Sequence, residues 1–419
     1  MARAAWHRLD NVGKFYSAQA GSPNQTVFRY SATLADEVDE AALQRALEQA
    51  VELFPGFNVR LRSGMFWHYL EQSDEPPAVM RESLPICYGL HVHAKSPLLR
   101  ASWHRDRVNL EVSHMVSDGR GTLSLFKALL SFYAKERYGV EGLAADYEGT
   151  DRQKAENSFD AHFERDKAGR SPSLAAYRLP GRRDPGDPVY LEYHLSASRV
   201  HKLARSCGVS LTSLVIAAAV CAIRDRMTPR ERERGRAIRL DVPVDLRDLF
   251  GSLSVKNFFG LAFVSYAPKS EDEPVERVAQ RIQEQLRAET QPDRLKARMN
   301  RMVALEKNPL LRLSPLFMKD LVLAAADRLT AREVTTTVSS LGRIQLDERV
   351  AAHVRNINVF TSTTGLNFVA CTFGDDLSIG ISSAYRDLGV VRDFCRLFSA
   401  RGIEGLMHTS GAREEASAR

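Results

Sequence analysis

Long apolar runs are missing from this chain of 419 residues. The longest, residues 214–223, falls well short of the ~18 needed to cross a bilayer, and the first residues lack the continuous apolar stretch of a secretory leader. Cysteine is sparse: Cys87, Cys207, Cys221, Cys371 and Cys395 form no close pairs and no metal-type spacing, which points to a reducing compartment. A cytoplasmic protein is expected. Cys87 with His91 and His93 is the nearest approach to a ligand set, but residues 86–93 read as a strand with both histidines on one face, so the role is structural and no metal is expected. Charge of one sign is also thin. The net +6 suits an anionic ligand, yet the densest basic run, 224–239, is interleaved with Asp225, Glu231 and Glu233 and holds no aromatics, which argues against a nucleic-acid track. There is no short repeat and no low-complexity tract.

What is present is the composition of an ordinary globular protein, 44% hydrophobic and 26% charged, at a length that favours two domains over one core. Residues 26–34 read as a strand, and Asp36 to Asp39 leads into a helix carrying Leu43, Leu47, Ala50, Val51 and Phe54, stopped by Pro55-Gly56. Short strands follow around 57–61, 66–70, 86–93 and 98–103. Residues 141–188 turn polar and rich in Pro and Gly, and the crossover between halves is placed there. The second half restarts with a strand at 189–195, a helix at 198–206 and a helix at 208–223 that is apolar nearly all round and therefore buried. Strands at 238–245, 261–266, 335–343, 356–361, 367–373 and 377–382, an amphipathic helix at 273–291 and a last helix at 390–401 complete an α/β reading with mixed sheets. The expected division is 1–165, a linker at 166–188, 189–405, and a disordered tail at 406–419.

The chemistry concentrates in Val108-Asn-Leu-Glu-Val-Ser-His114-Met-Val-Ser-Asp118-Gly119. Val108, Leu110 and Val112 alternate with polar residues, the pattern of a strand with one buried face. The run from Ser117 to Gly121 breaks it, and Thr122 opens a helix with Leu123, Phe126, Leu129, Leu130 and Tyr133 on one side. His114 is thus displayed where a strand gives way to a helix. An unperturbed imidazole titrates near pH 6.5, so it accepts a proton from an alcohol, amine or thiol once it is placed. With eleven histidines, His-x-x-x-Asp-Gly arises by chance in roughly 0.04 of such chains, so the pattern carries weight. His162 has the same spacing to Asp166, but Lys167 follows and the surroundings are charged; that copy reads as coincidence.

Ser113-His114-x-x-x-Asp118-Gly119, the buried Gly208-Val-Ser-Leu helix, Val242-Pro-Val-Asp-Leu-Arg247, Asn257 and Ser339-Ser340-Leu-Gly342 occur together and in this order. In these features the chain resembles the chloramphenicol-acetyltransferase-like, coenzyme-A-dependent acyltransferase superfamily over roughly residues 1–400. It is most similar to the alcohol acetyltransferase and polyketide-associated group, with peptide-synthetase condensation domains as cousins. Ser113 stands where condensation domains usually carry a first histidine, which tilts the resemblance away from them. The resemblance implies two similar lobes in a V with a tunnel between them. It implies His114 as general base, Asp118 and Arg247 as a structural ion pair between lobes, and Gly119 as the residue permitting the turn. Asn257, Ser339 and Ser340 are candidate oxyanion or substrate contacts, each equally readable as the cap of a turn. No bound cofactor is expected; acyl-CoA is the co-substrate and a small alcohol or amine the acceptor. Two other readings stay open: an acyl donor held on a carrier protein, and a non-catalytic member that uses the groove for binding.

Overall fold

The computed structural model describes residues 6–19, 26–90, 96–143, 147, 149–165, 175–268, 272–307 and 314–410. The first half contributes β1 (Trp6–Arg8), α1 (Asn11–Ser17), β2 (Val27–Leu34), α2 (Glu40–Leu53), β3 (Val59–Ser63), β4 (His68–Gln72), β5 (Val79–Arg81), β6 (Leu99–His104), β7 (Arg107–Ser113) and α3 (Gly119–Tyr138). The second contributes β8 (Val189–Ser196), α4 (Ala197–Ser206), α5 (Leu211–Arg224), β9 (Ile238–Asp245), β10 (Phe259–Tyr266), α6 (Val275–Glu289), α7 (Pro292–Glu306), α8 (Leu316–Thr330), β11 (Thr336–Arg343), β12 (Val354–Thr361), β13 (Leu366–Phe373), β14 (Asp376–Ser383), α9 (Gly389–Ser399) and β15 (Gly405–Ser410).

These strands make two mixed sheets and a small third one. The second-half sheet has the order β10-β9-β11-β13-β14-β8-β15, the first-half sheet β12-β2-β7-β6-β5, and β1-β4-β3 stands apart. The α/β reading with mixed sheets and two lobes is therefore borne out. Each lobe has its own core. In the first, α2 and α3 bury Leu43, Leu47, Phe126 and Leu129 against Tyr30, Leu110 and Val112 of the sheet. In the second, α5 is buried along nearly its whole length, with α6 and α9 packed on it. Among the described residues no single helix is long and apolar enough to cross a membrane; the bent pair α4 and α5 passes only when summed, and the core already takes up α5.

Three expectations need correcting. The lobes do not divide cleanly at the linker: β12 belongs by sequence to the second half but pairs antiparallel with β2, from Asn356↔Thr33 to Thr361↔Phe28, as an edge strand of the first sheet. Residues 86–90 form a turn at 86–87 followed by irregular backbone rather than a strand, with Cys87 at φ 54°, while His91 and His93 lie outside the described residues. Residues 406–410 are not a disordered tail. They are most of β15, which covers the outer edge of β8 from Gly405↔Leu195 to Ser410↔Tyr190; residues 411–419 lie outside the described set.

Candidate active site

His114 emerges from the end of β7, its N–H tied to Thr26 O at 2.9 Å, and the chain turns at once into α3. The helix starts three residues earlier than Thr122. Asp118 is the N-cap, accepting from Gly121 N at 2.9 Å, and Thr122 lies buried within the first turn. The glycine that the packing demands is Gly121, where a Cβ would stand 2.0 Å from Val255 O; Gly119 has no left-handed backbone, and its nearest neighbour would be Leu341 Cδ2 at 3.1 Å. The turn geometry implied for Gly119 is thus absent, and close approach of the two lobes at Gly121 replaces it.

Asp118 and Arg247 are brought together across the lobes. Arg247 Nη2 donates to Asp118 Oδ1 and Oδ2 at 2.9 and 3.0 Å and to Lys256 O at 2.6 Å, Nε donates to Ser254 O at 2.7 Å, and Nη1 to Asp245 Oδ1 at 2.8 Å. Phe258 N also donates to Asp118 Oδ2, at 2.8 Å. The carboxylate therefore collects N–H groups from α3, from Arg247 and from the segment before β10. Its lone pairs are consumed by architecture, which leaves it no free face for substrate.

His114 itself is 5% exposed and caged by aromatics. Tyr16 of α1 stacks on the ring at 4.2 Å between centroids, with Phe28 at 4.7 Å and Phe259 at 5.6 Å. Burial pushes the imidazole down to about 4, against the opposing pull of Asp118, so the ring is neutral throughout the physiological range. Nδ1 lies 2.8 Å from Asn257 Oδ1. A carbonyl oxygen only accepts, so Nδ1 carries the ring proton and Nε2 keeps its lone pair. Asn257 is therefore not free to stabilise an oxyanion: its Nδ2 is occupied by Asp10 at 3.0 and 3.2 Å and by His114 O at 3.1 Å. Ser339 and Ser340 on β11 line the same tunnel as His114, and Ser340 Oγ accepts from Thr212 Oγ1 at 3.2 Å.

Sequence reasoning missed Asp10, Tyr16, Phe28 and Phe259. None sits in a motif, and their only local signal is the helix cap that Asp10 gives to Gly13 N. The cavity that His114, Ser339 and Ser340 line holds about 3380 Å³. Its lining includes the apolar Tyr16, Trp67, Met299, Met302 and Leu323 together with the basic Arg239 and Arg287. Among the described residues no cluster of three metal-ligating side chains occurs.

Residues 195–382 match the family model described as phthiocerol/phthiodiolone dimycocerosyl transferase C-terminus. No curated protein matches at the sequence level. Among solved structures, polyketide synthase associated protein 5 from Mycobacterium tuberculosis is 15% identical with a TM-score of 0.59, covering 94% of this chain and 98% of that one. F. sporotrichioides TRI101, solved with coenzyme A and T-2, gives 14% and 0.64 over 97% and 100%. The first condensation domain of the CDA synthetase gives 17% and 0.59 over 90% of each. These solved structures show the two-lobed fold of chloramphenicol-acetyltransferase-like and condensation-domain proteins over nearly the whole chain, and the family match adds a sequence similarity confined to residues 195–382.

Proposed function

We propose that this protein is an acyltransferase that moves an acyl group from acyl-CoA directly to a hydroxyl or amine, with His114 as general base. The observation that carries the reading is the buried imidazole facing the tunnel with Nδ1 held by Asn257 Oδ1 at 2.8 Å, which leaves Nε2 as the basic atom. Nε2 takes the proton of the acceptor as its oxygen or nitrogen attacks the thioester carbonyl; the tetrahedral intermediate collapses by breaking the C–S bond, and the same proton passes to the departing thiolate. No covalent enzyme intermediate is needed. The oxyanion requires a donor contributing about 3 kcal/mol, and we assign this to Ser339 or Ser340 on the tunnel wall. Coenzyme A as the donor is supported by the complex of TRI101 with it and by a starter condensation domain of rhizomide synthetase solved with C8-CoA. The volume of the cavity, its apolar lining residues and the dimycocerosyl family match favour acyl chains longer than acetyl.

Thiol release from acetyl-CoA and from longer acyl-CoAs, measured against a panel of alcohols and amines, tests this. His114→Ala should lose about 10²–10⁴-fold in kcat. Turnover equal to the unsubstituted protein would refute the general-base assignment, and activity only with carrier-loaded acyl groups would shift the donor to a carrier protein.

A further inference from the structure

Asp10 is 1% exposed and lies where α1, the His114 turn and the Asn257 segment meet. Its Oδ1 accepts from Gly13 N at 2.6 Å and from Asn257 Nδ2 at 3.2 Å; its Oδ2 accepts from Asn257 N at 3.1 Å and from Asn257 Nδ2 at 3.0 Å. Helix α1 is seated tightly enough on the histidine turn that a Cβ at Gly13 would stand 2.6 Å from Met115 O.

An ionised carboxylate can only accept hydrogen bonds, so the end of the Asn257 amide turned towards Asp10 must be its NH2 group. The second hydrogen of that group goes to His114 O at 3.1 Å. Only Oδ1 is then left for His114 Nδ1, and only the Nδ1–H tautomer fits it. A flipped amide has almost the same shape and would present N–H to Nδ1, moving the ring proton to Nε2 and blocking the base. Asn257 alone does not choose between the two; the acceptors that its NH2 group meets do, the carbonyl of His114 on one side and the carboxylate of Asp10 behind it. We propose that Asp10 is a positioning residue, fixing the amide orientation of Asn257 and through it the tautomer in which His114 takes a proton. This rests on His114 being the base.

The alternative is that Asp10 merely caps α1. A cap is served as well by Asn as by Asp, so Asp10→Asn separates the two: its one oxygen keeps the cap on Gly13 N, while its NH2 group replaces the acceptor that faced Asn257 N and Nδ2. Burial pushes Asp10 up to about 6 against the N–H groups of Gly13 and Asn257 and the charge of Lys256. Lys256 is the charged group whose field reaches it, and holds Arg8 O at 3.1 Å; His114 lies one amide away, and Lys14 and His7 face Lys256. Protonated Asp10 becomes a donor, so the rate should carry an acid limb near pH 6 that the His114 ring, at about 4, does not produce.

The experiment measures kcat, KM, pH profile and urea midpoint, with ¹⁵N shifts of the His114 ring assigned by their loss in His114→Ala. Asp10→Asn should lower kcat about 10–100-fold with KM little changed and the midpoint lowered modestly by the lost acceptor for Asn257 N, populate the Nε2–H tautomer and remove the limb near pH 6. The pair Asp10→Asn with Asn257→Asp restores an acceptor to Nδ1 and a donor behind it; it should return the Nδ1–H tautomer and recover at least about tenfold in kcat. An Asp10→Asn protein that keeps the Nδ1–H tautomer and its rate overturns the inference, as does a rate loss that follows a lost midpoint and is not recovered in the pair. Full turnover by His114→Ala overturns the general-base reading instead, and with it the catalytic consequence of Asp10, while the tautomer shift would still show what Asp10 orients.

Discussion

At the residue scale, the His-x-x-x-Asp-Gly motif divides its labour differently from how its letters suggest. Asp118 receives N–H groups from Gly121, Phe258 and Arg247, so Asp118→Ala leaves the buried Phe258 amide without its acceptor and takes from Arg247 one of its two carboxylate partners, Asp245 remaining. Breaking such a pair from one side costs about 3–5 kcal/mol, to be read as a lower urea midpoint together with lost activity. An inactive Asp118→Ala protein with an unchanged midpoint would instead place Asp118 in the chemistry. Of the two glycines, Gly121→Ala should be the damaging one, by about 1–3 kcal/mol, because Val255 O and Ser117 Oγ already occupy the Cβ position at 2.0 and 2.2 Å. Gly119→Ala meets only Leu341 Cδ2 at 3.1 Å and should be milder. Equal effects would show that the lobes yield at Gly121. His114 and Asp118 stand out because residue type and local spacing mark them, whereas the pairing of Asp118 with Arg247, 129 residues away, came only through the family resemblance. Asp10 and Tyr16 were legible in neither way: Asp10 meets Asn257 across a separation of 247 residues, and no local pattern encodes such a meeting.

At the scale of elements, strands and helices of strong period could be read directly, whereas edge pairings could not. Alternation gives the faces of β12 and β15 but not the neighbour each chooses, since pairing depends on which edge is left bare. One consequence lies where β7 and β8 meet. Arg107 of β7 donates to Glu192 of β8 at 3.1 Å, and His194, two residues on, stands between Asp376 Oδ2 at 2.9 Å and Glu192 Oε2 at 3.5 Å. Burial opposes an imidazolium here, but Asp376 and Glu192 outweigh it and raise His194 to about 9; burial likewise opposes the Glu192 carboxylate, and His194 with Arg107 hold it down to about 2. A histidine raised on folding gives stability that is complete below its unfolded value near 6.5 and is lost as pH rises through about 9. The urea midpoint should therefore fall between pH 6.5 and 9, by on the order of 2–3 kcal/mol in stability, and His194→Gln should start lower and flatten that limb. An unchanged slope in His194→Gln would assign the limb to other groups.

At the scale of the whole molecule, the β12 crossover decides whether the lobes are separable. Val359 and Phe360 are fully buried and Ile357 nearly so, and β12 seals the edge of β2 next to the strand that carries His114. A fragment of residues 1–165 would lose that seal and present a bare, apolar strand edge, which templates association with other chains. A fragment of 189–419 would keep β12 but remove its partner. The tunnel needs both halves as well, since His114 and Tyr16 come from one and Ser339, Arg239 and Asn257 from the other. Neither fragment alone should give soluble protein with a cooperative urea transition, whereas the two produced together should copurify, and the intact chain should lose His114-dependent activity and secondary structure in a single transition. Size-exclusion chromatography with circular dichroism measures this. A monomeric 1–165 fragment with its own sharp transition would show that the first sheet closes without β12, and the lobes would then have to be treated as independent units held together mainly by Asp118 and Arg247.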